Sequence, residues 1–229
     1  EHCLREDLNE TAMRVMAVTR PIPLTITNYP EGKTETFEIE NNPGHPEDGT
    51  RMVSFSGKLY VEAEDFLEAP VPKYKRLYPD GPECRLKGAY LIRCTGCNKD
   101  ENGNITEILC TYDPDSRGGD PADGRKVKGA TIHWVDAATA VDAEVRLYDN
   151  LFSDPDPDAP GKNFLDCLNP NSLTIVEGAK VETSLATAQP GDHFQFMRLG
   201  YFCADKDSTP EHLVFNRSVS LKDGFKSKE

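Results

Sequence analysis

The chain has 229 residues, 37% hydrophobic and 28% charged, with 26 Lys plus Arg against 39 Asp plus Glu and a formal net charge of -13. That length admits one large or two small domains with a sizeable core, and no apolar run approaches the roughly 18 to 20 residues of a helical membrane span. So acidic a body excludes a protein that coats nucleic acid by bulk electrostatics, though not one that carries a small basic site.

The first residues, EHCLREDLNETA, lack an initiating Met and read as the tail of a helix, which predicts a piece of a longer protein. Next come PIPLTITNY (21–29) and TETFEIE (34–40), which alternate apolar and polar residues and predict a hairpin around Tyr29-Pro30-Glu31-Gly32. RMVSFSGKLYVEAEDF (51–66) reads as a second extended pair around Gly57, ending in one acidic helical turn. CRLKGAYLIRCTG and NITEILCTY flank the turn-rich CNKDENGN as a third hairpin. The Pro-, Gly- and charge-dense stretch at 113–129 predicts a connection over the surface and a boundary near Gly124.

Beyond it, ATIHWV and AEVRLYD read as strands, LFSDPDPDAPGKN (151–163) as a solvated loop and FLDCLN as a short helix ended by Pro170. NSLTIVEG is a strand, HFQFMRLGYFCAD a hairpin about Leu199-Gly200, LVFNRSVSL (213–221) a last strand and KDGFKSKE a polar tail. No internal repeat of fixed period is visible. Short strands at roughly 8 to 12 residue spacing predict two successive closed antiparallel barrels of about 100 residues each.

No phosphate loop, dinucleotide fingerprint, His-Glu-x-x-His or Gly-x-Ser-x-Gly occurs, so no catalytic apparatus is recognisable. Cys94-Thr95-Gly96-Cys97, with Cys110 nearby, is half of a zinc site at most and reads as free cysteines on a hairpin. The Asp/Pro loop lacks the ligand spacing of a calcium loop. Seven cysteines at irregular positions predict free thiols in the cytoplasm, and no signal peptide is read. In such a compartment the Asn-x-Ser/Thr triplets at Asn9, Asn104 and Asn216 are chance.

KYKRLYPDGPECRLK (73–87) is the informative stretch. It gathers Lys73, Lys75, Arg76, Arg85 and Lys87, with Tyr74 and Tyr78 interleaved, and a second basic patch, GRKVKG, follows at 124–129. On charge alone such a cluster is most often a solvated surface. Flat aromatic faces beside cations predict a site for unstacked RNA bases.

YKRL, RLK, DPADGRKVKGATIHWVDAATA, EVRLYDNLFS, FQFMRLGYFCAD and VFNRSVSLKDGF resemble the C-terminal anticodon-binding region of glutaminyl-tRNA synthetase, from HCLREDLNETAMRVMAV to the end. The resemblance implies a mainly β fold of two antiparallel six-stranded β-barrels, like ribosomal L25, that splay the three anticodon bases into separate pockets. It lays out residues 1–20 as a linker from a missing catalytic half, 21–124 as a first barrel and 125–229 as a second, with strands able to return to the first. The implied partners are the tRNA-Gln anticodon loop and the catalytic half of the same polypeptide, with no membrane. That half would handle ATP and magnesium, leaving this region without catalytic residues, metal or cofactor.

By the same resemblance, Asn9, Arg14, Lys75, Arg76, Arg85, Lys87, Gln195 and Arg198 fall on anticodon-contacting positions. Arg76 with Lys75 takes the third base (G), Arg85 with Lys87 the first (C or U), and Arg14 with Gln195 the middle one (U). A guanidinium fork suits the O6 and N7 of guanine, and a Gln amide offers a donor and an acceptor to a uracil edge. Lys87 stands where an Arg is familiar, Lys73 at a Gln position and Gly44 at an Asn position, and DPDSRGGDPADG matches only in part. The competing readings are the corresponding region of a eukaryotic-type glutamyl-tRNA synthetase and an acidic protein-interaction module.

Overall fold

The computed structural model describes residues 1–222, so the polar tail read at 222–229 lies, but for Lys222, outside the described residues. One helix, α1 (His2–Thr11), leads into β1 (Met13–Val15), β2 (Ala17–Val18), β3 (Pro21–Ile26), β4 (Glu35–Glu40), β5 (Thr50–Phe55) and β6 (Lys58–Glu62). There follow β7 (Cys84–Leu86), β8 (Leu91–Lys99), β9 (Ile105–Asp113), β10 (Thr131–Ile132) and β11 (Val135–Asp136). The last five are β12 (Val141–Tyr148), β13 (Leu173–Val181), β14 (His193–Phe196), β15 (Gly200–Ala204) and β16 (Leu213–Ser220).

Two sheets carry the fold. One has the order β10-β7-β8-β9-β3-β6-β11, the other β1-β14-β15-β16-β12-β13-β2. Since β10 and β11 are successive pieces of one segment (131–136), and β1 and β2 of another (13–18), each sheet closes on itself as a six-stranded barrel. Closure leaves neither barrel with a bare sheet edge to attract another chain.

The barrels are interleaved. Residues 13–18, which precede the first barrel's strands, close the second, and 131–136, which precede the second barrel's strands, close the first. Sheet membership therefore departs from a chain-order layout with 1–20 as a linker and a cut near Gly124. Along 15–18 the side chains alternate between the two interiors: Val15 and Ala17 join the second core, Met16 and Val18 the first, all 0% exposed. A strand with a period of two can serve two cores only by lying between them.

Both barrels repeat one sequence of antiparallel and parallel pairings, with β3, β6, β7, β8 and β9 corresponding to β12, β13, β14, β15 and β16. The correspondence reaches single residues. Glu62, the last residue of β6, and Glu182, the residue after β13, lie 4% and 3% exposed and precede 3-10 turns at Ala63–Asp65 and Thr183–Thr187. Glu62 accepts the N–H groups of Thr19 and Arg20, and Glu182 that of Met16. So few side chains are shared that no repeat shows in the sequence.

The first predicted hairpin does not form. β3 pairs with β6 and β9, while β4 pairs with β5 in a separate ribbon, so the turn around Tyr29 redirects the chain without pairing its flanks. Likewise β5 and β6 flank Gly57 but pair with other strands. Alternation identifies strands and their buried faces but not their partners. The β8–β9 and β14–β15 hairpins form as read.

Candidate nucleic-acid interface

The interface is built where the two closing segments meet. In the parallel β1–β14 pair Arg14 is in register with Gln195, and the next pair is Val15 with Phe196. Val15 and Phe196 are fully buried in the second core, which turns Arg14 and Gln195 to the opposite face. In the corresponding β10–β7 pair of the first barrel, Thr131 is in register with Arg85.

Arg14, Lys87, Thr131, His133, Gln195 and Arg198 line a cavity of about 280 Å³ together with Pro43 and Met197. Arg14 Nε and Gln195 Oε1 are buried in its wall and, among the described residues, have no hydrogen-bond partner. Buried polar atoms are nearly always paired, so these two are spare recognition capacity. Asn9 supports the wall from behind: its Oδ1 accepts from Arg14 Nη2 at 3.0 Å and from the Tyr201 hydroxyl at 3.3 Å.

Arg198 sits in the β14–β15 turn at φ 68°, a left-handed conformation that disfavours side chains. The equivalent turn of the first barrel holds Gly88 at φ 70°. Arg198 donates to the Asp65 carboxylate through Nη1 at 2.7 Å and Nη2 at 2.6 Å. Arg76 Nη1 lies 3.0 Å from the same carboxylate, which is 0% exposed. Burial alone would lower the pKa of the Arg198 guanidinium, but Asp65 outweighs it and holds the pKa above its ordinary value. Behind them His133 places Nδ1 3.4 Å from Arg198 Nη1 and Nε2 3.5 Å from Glu62 Oε1.

Of the residues expected from sequence, Arg14, Lys87, Gln195 and Arg198 thus line one cavity, Asn9 braces it, and Arg76 reaches it through Asp65. Arg85 lies outside, donating through Nε to the Gly119 carbonyl at 2.5 Å and paired with Asp120 at 2.9 Å. Lys75 is exposed at its side chain, and its carbonyl accepts the Ala130 N–H at 2.7 Å. Tyr74 and Tyr78 are half-buried, with ring centroids 6.3 Å apart at 49°. In the second basic patch Arg125 is committed to Glu83, Asp113 and Asp123.

Asp65, Thr131, Pro43 and the role of His133 escaped sequence reading. Asp65 showed only as part of an acidic turn, and His133 only as a lone histidine on a strand. Among the described residues no group of three or more His, Cys, Asp or Glu is placed to hold a metal, and no helix is long and apolar enough to cross a membrane.

Residues 12–113 and 131–205 match two family models, both described as the anticodon-binding domain of class I tRNA synthetases (E and Q). The chain belongs to that family. Within it the resemblance is to the glutamine enzymes: it is 55% identical over 229 residues to a glutamine-tRNA ligase of Clostridium perfringens, covering 100% of this chain and 41% of that protein. Glutamine-tRNA ligases of Bradyrhizobium diazoefficiens and Colwellia psychrerythraea are 51% and 54% identical over 98% and 97% of this chain. The chain spans about 40% of the length of each of these two relatives.

Proposed function

We propose that the chain reads the anticodon loop of tRNA-Gln for a glutamine-tRNA ligase, working in the cytoplasm beside a catalytic half that handles ATP and magnesium. The observation that carries the proposal is the cavity between the barrels, where Arg14 Nε and Gln195 Oε1 sit side by side with no hydrogen-bond partner among the described residues. On this reading they take the middle base: the amide presents a donor and an acceptor to uracil, and Arg14 adds a charged donor.

Arg76 with Lys75 takes the third base, the guanidinium matching guanine O6 and N7. Lys87 meets the first base from the cavity side as a single rotatable cation, which accommodates C or U. Arg85 joins it by leaving Asp120, an exposed ion pair worth about 0 to 1 kcal/mol. Arg198 sets the floor of the cavity.

The test is titration of the chain with anticodon stem-loops that carry guanine or cytosine at the third position. Arg76→Ala is expected to remove about 1 to 3 kcal/mol of discrimination between them. Equal affinity of the unaltered chain for the two loops would overturn the assignment and favour a different RNA or a protein partner.

A further inference from the structure

We infer that Asp65 is a positioning residue that locks Arg76 and Arg198 into one unit, so that the third base and the base in the inter-barrel cavity are read jointly. The inference rests on the anticodon-reading function proposed above, and its geometry is independent of it. Asp65 belongs to the 3-10 turn that ends β6 of the first barrel, whereas Arg198 is in the β14–β15 turn of the second. The contact therefore bridges the barrels across 133 residues of sequence.

One carboxylate oxygen, Oδ1, serves both cations, Arg198 Nη2 at 2.6 Å and Arg76 Nη1 at 3.0 Å. A guanidinium that swings toward a base weakens its hold on that oxygen and strengthens the other's. A carboxylate that is 0% exposed cannot turn to water to compensate, so the exchange is confined to the two arginines. The main chain of Asp65 adds to the linkage, for its carbonyl accepts the N–H of Leu77, the residue after Arg76, at 3.0 Å.

Two further observations fit a built device. Arg198 keeps a backbone conformation that the matching turn gives to Gly88, and such strain persists where the surroundings over-determine it. His133, 1% exposed, backs the Arg198 guanidinium from the segment between β10 and β11 that closes the first barrel, so that the fork is held from both sides.

The experiment uses the 229-residue chain and anticodon stem-loop RNAs with guanine or cytosine at the third position. Affinities are measured for the unaltered chain, Arg198→Lys, Asp65→Asn and the double variant. Arg198→Lys is expected to cut third-base discrimination about fivefold or more although Arg198 is not assigned to that base, and to cut it no further once Asp65→Asn is present. Because Asp65→Asn risks the fold, Arg198→Lys is also read without RNA, where the Nε–Hε resonance of Arg76 is expected to move. Unchanged discrimination in Arg198→Lys, against an unaltered chain that does discriminate, sinks the coupling alone. An unaltered chain that does not discriminate removes the anticodon reading, and the joint reading of bases with it.

Discussion

Gln195 Oε1 is an acceptor buried without a partner among the described residues, and a group of that kind costs about 1 to 3 kcal/mol while it stays unpaired. Replacing it by an apolar side chain of similar length removes the cost together with the recognition. Gln195→Met is therefore expected to raise the melting temperature of the free chain and to weaken binding of a stem-loop with uracil in the middle, a trade seen where sites are kept at the expense of stability. A lower melting temperature in this variant would mean that the amide is structural. A second residue-scale expectation concerns His45, whose Nε2 and Nδ1 lie 2.8 Å from Glu10 and 3.0 Å from Glu47 and so tie the loop after β4 to the end of α1. Hydrogen bonds to Glu47 and Glu10 raise its pKa above the ordinary 6.5. A raised histidine pKa stabilises fully below the unfolded value and is lost as pH rises through the folded one. The pKa values of Glu10 and Glu47 are lowered by His45, so their share is lost instead as pH falls through those lowered values. Melting temperature should decline as pH rises above the ordinary 6.5 and through the raised value, and His45→Gln should flatten that decline.

At the scale of elements, the closing segments do the most with the fewest residues. Met16 fills the first core from between β1 and β2, which both pair into the second sheet, so Met16→Ala is expected to cost about 2 to 5 kcal/mol, read by chemical denaturation. Gly129 sits just ahead of β10, where an added Cβ would lie 2.2 Å from the Glu83 carbonyl oxygen. Gly129→Ala should therefore push β10 away from β7 and destabilise the first barrel, while Gly124→Ala, with open space at its Cβ, should owe its smaller cost to its positive φ alone. Element type was largely legible in the sequence because alternation and turn residues are local signals. Partnership was not: β3 was matched to β4 because they are neighbours in sequence, whereas burial of Ile22, Leu24 and Ile26 in the barrel required β6 and β9. The site divided the same way. Arg14, Lys87, Gln195 and Arg198 were marked by family resemblance and side-chain chemistry, while Asp65 and His133 acquire their roles only from contacts between distant segments.

For the whole molecule, interleaving predicts that neither barrel unfolds without the other. Trp134, the single tryptophan, is fully buried in the first core, so its fluorescence reports on one barrel while far-ultraviolet circular dichroism reports on both. The two transitions should coincide, and Val15→Ala, a change in the second core, should shift the Trp134 transition as well. Two separate transitions would mean that the shared strand does not couple the barrels. The net charge of -13 makes binding depend on a few local cations, so affinity for RNA should fall as salt rises. On the proposed function, side chains from both barrels read unpaired bases in the cavity between them. The decisive measurement follows the amide and side-chain nuclear resonances of the chain during titration with a tRNA-Gln anticodon stem-loop. Shifts concentrated at Arg14, Lys87, Thr131, Gln195 and Arg198, and weakened when the middle base is changed from uracil to cytosine, are the predicted result. Shifts that leave the cavity untouched while appearing elsewhere, or that ignore the middle base, would contradict it.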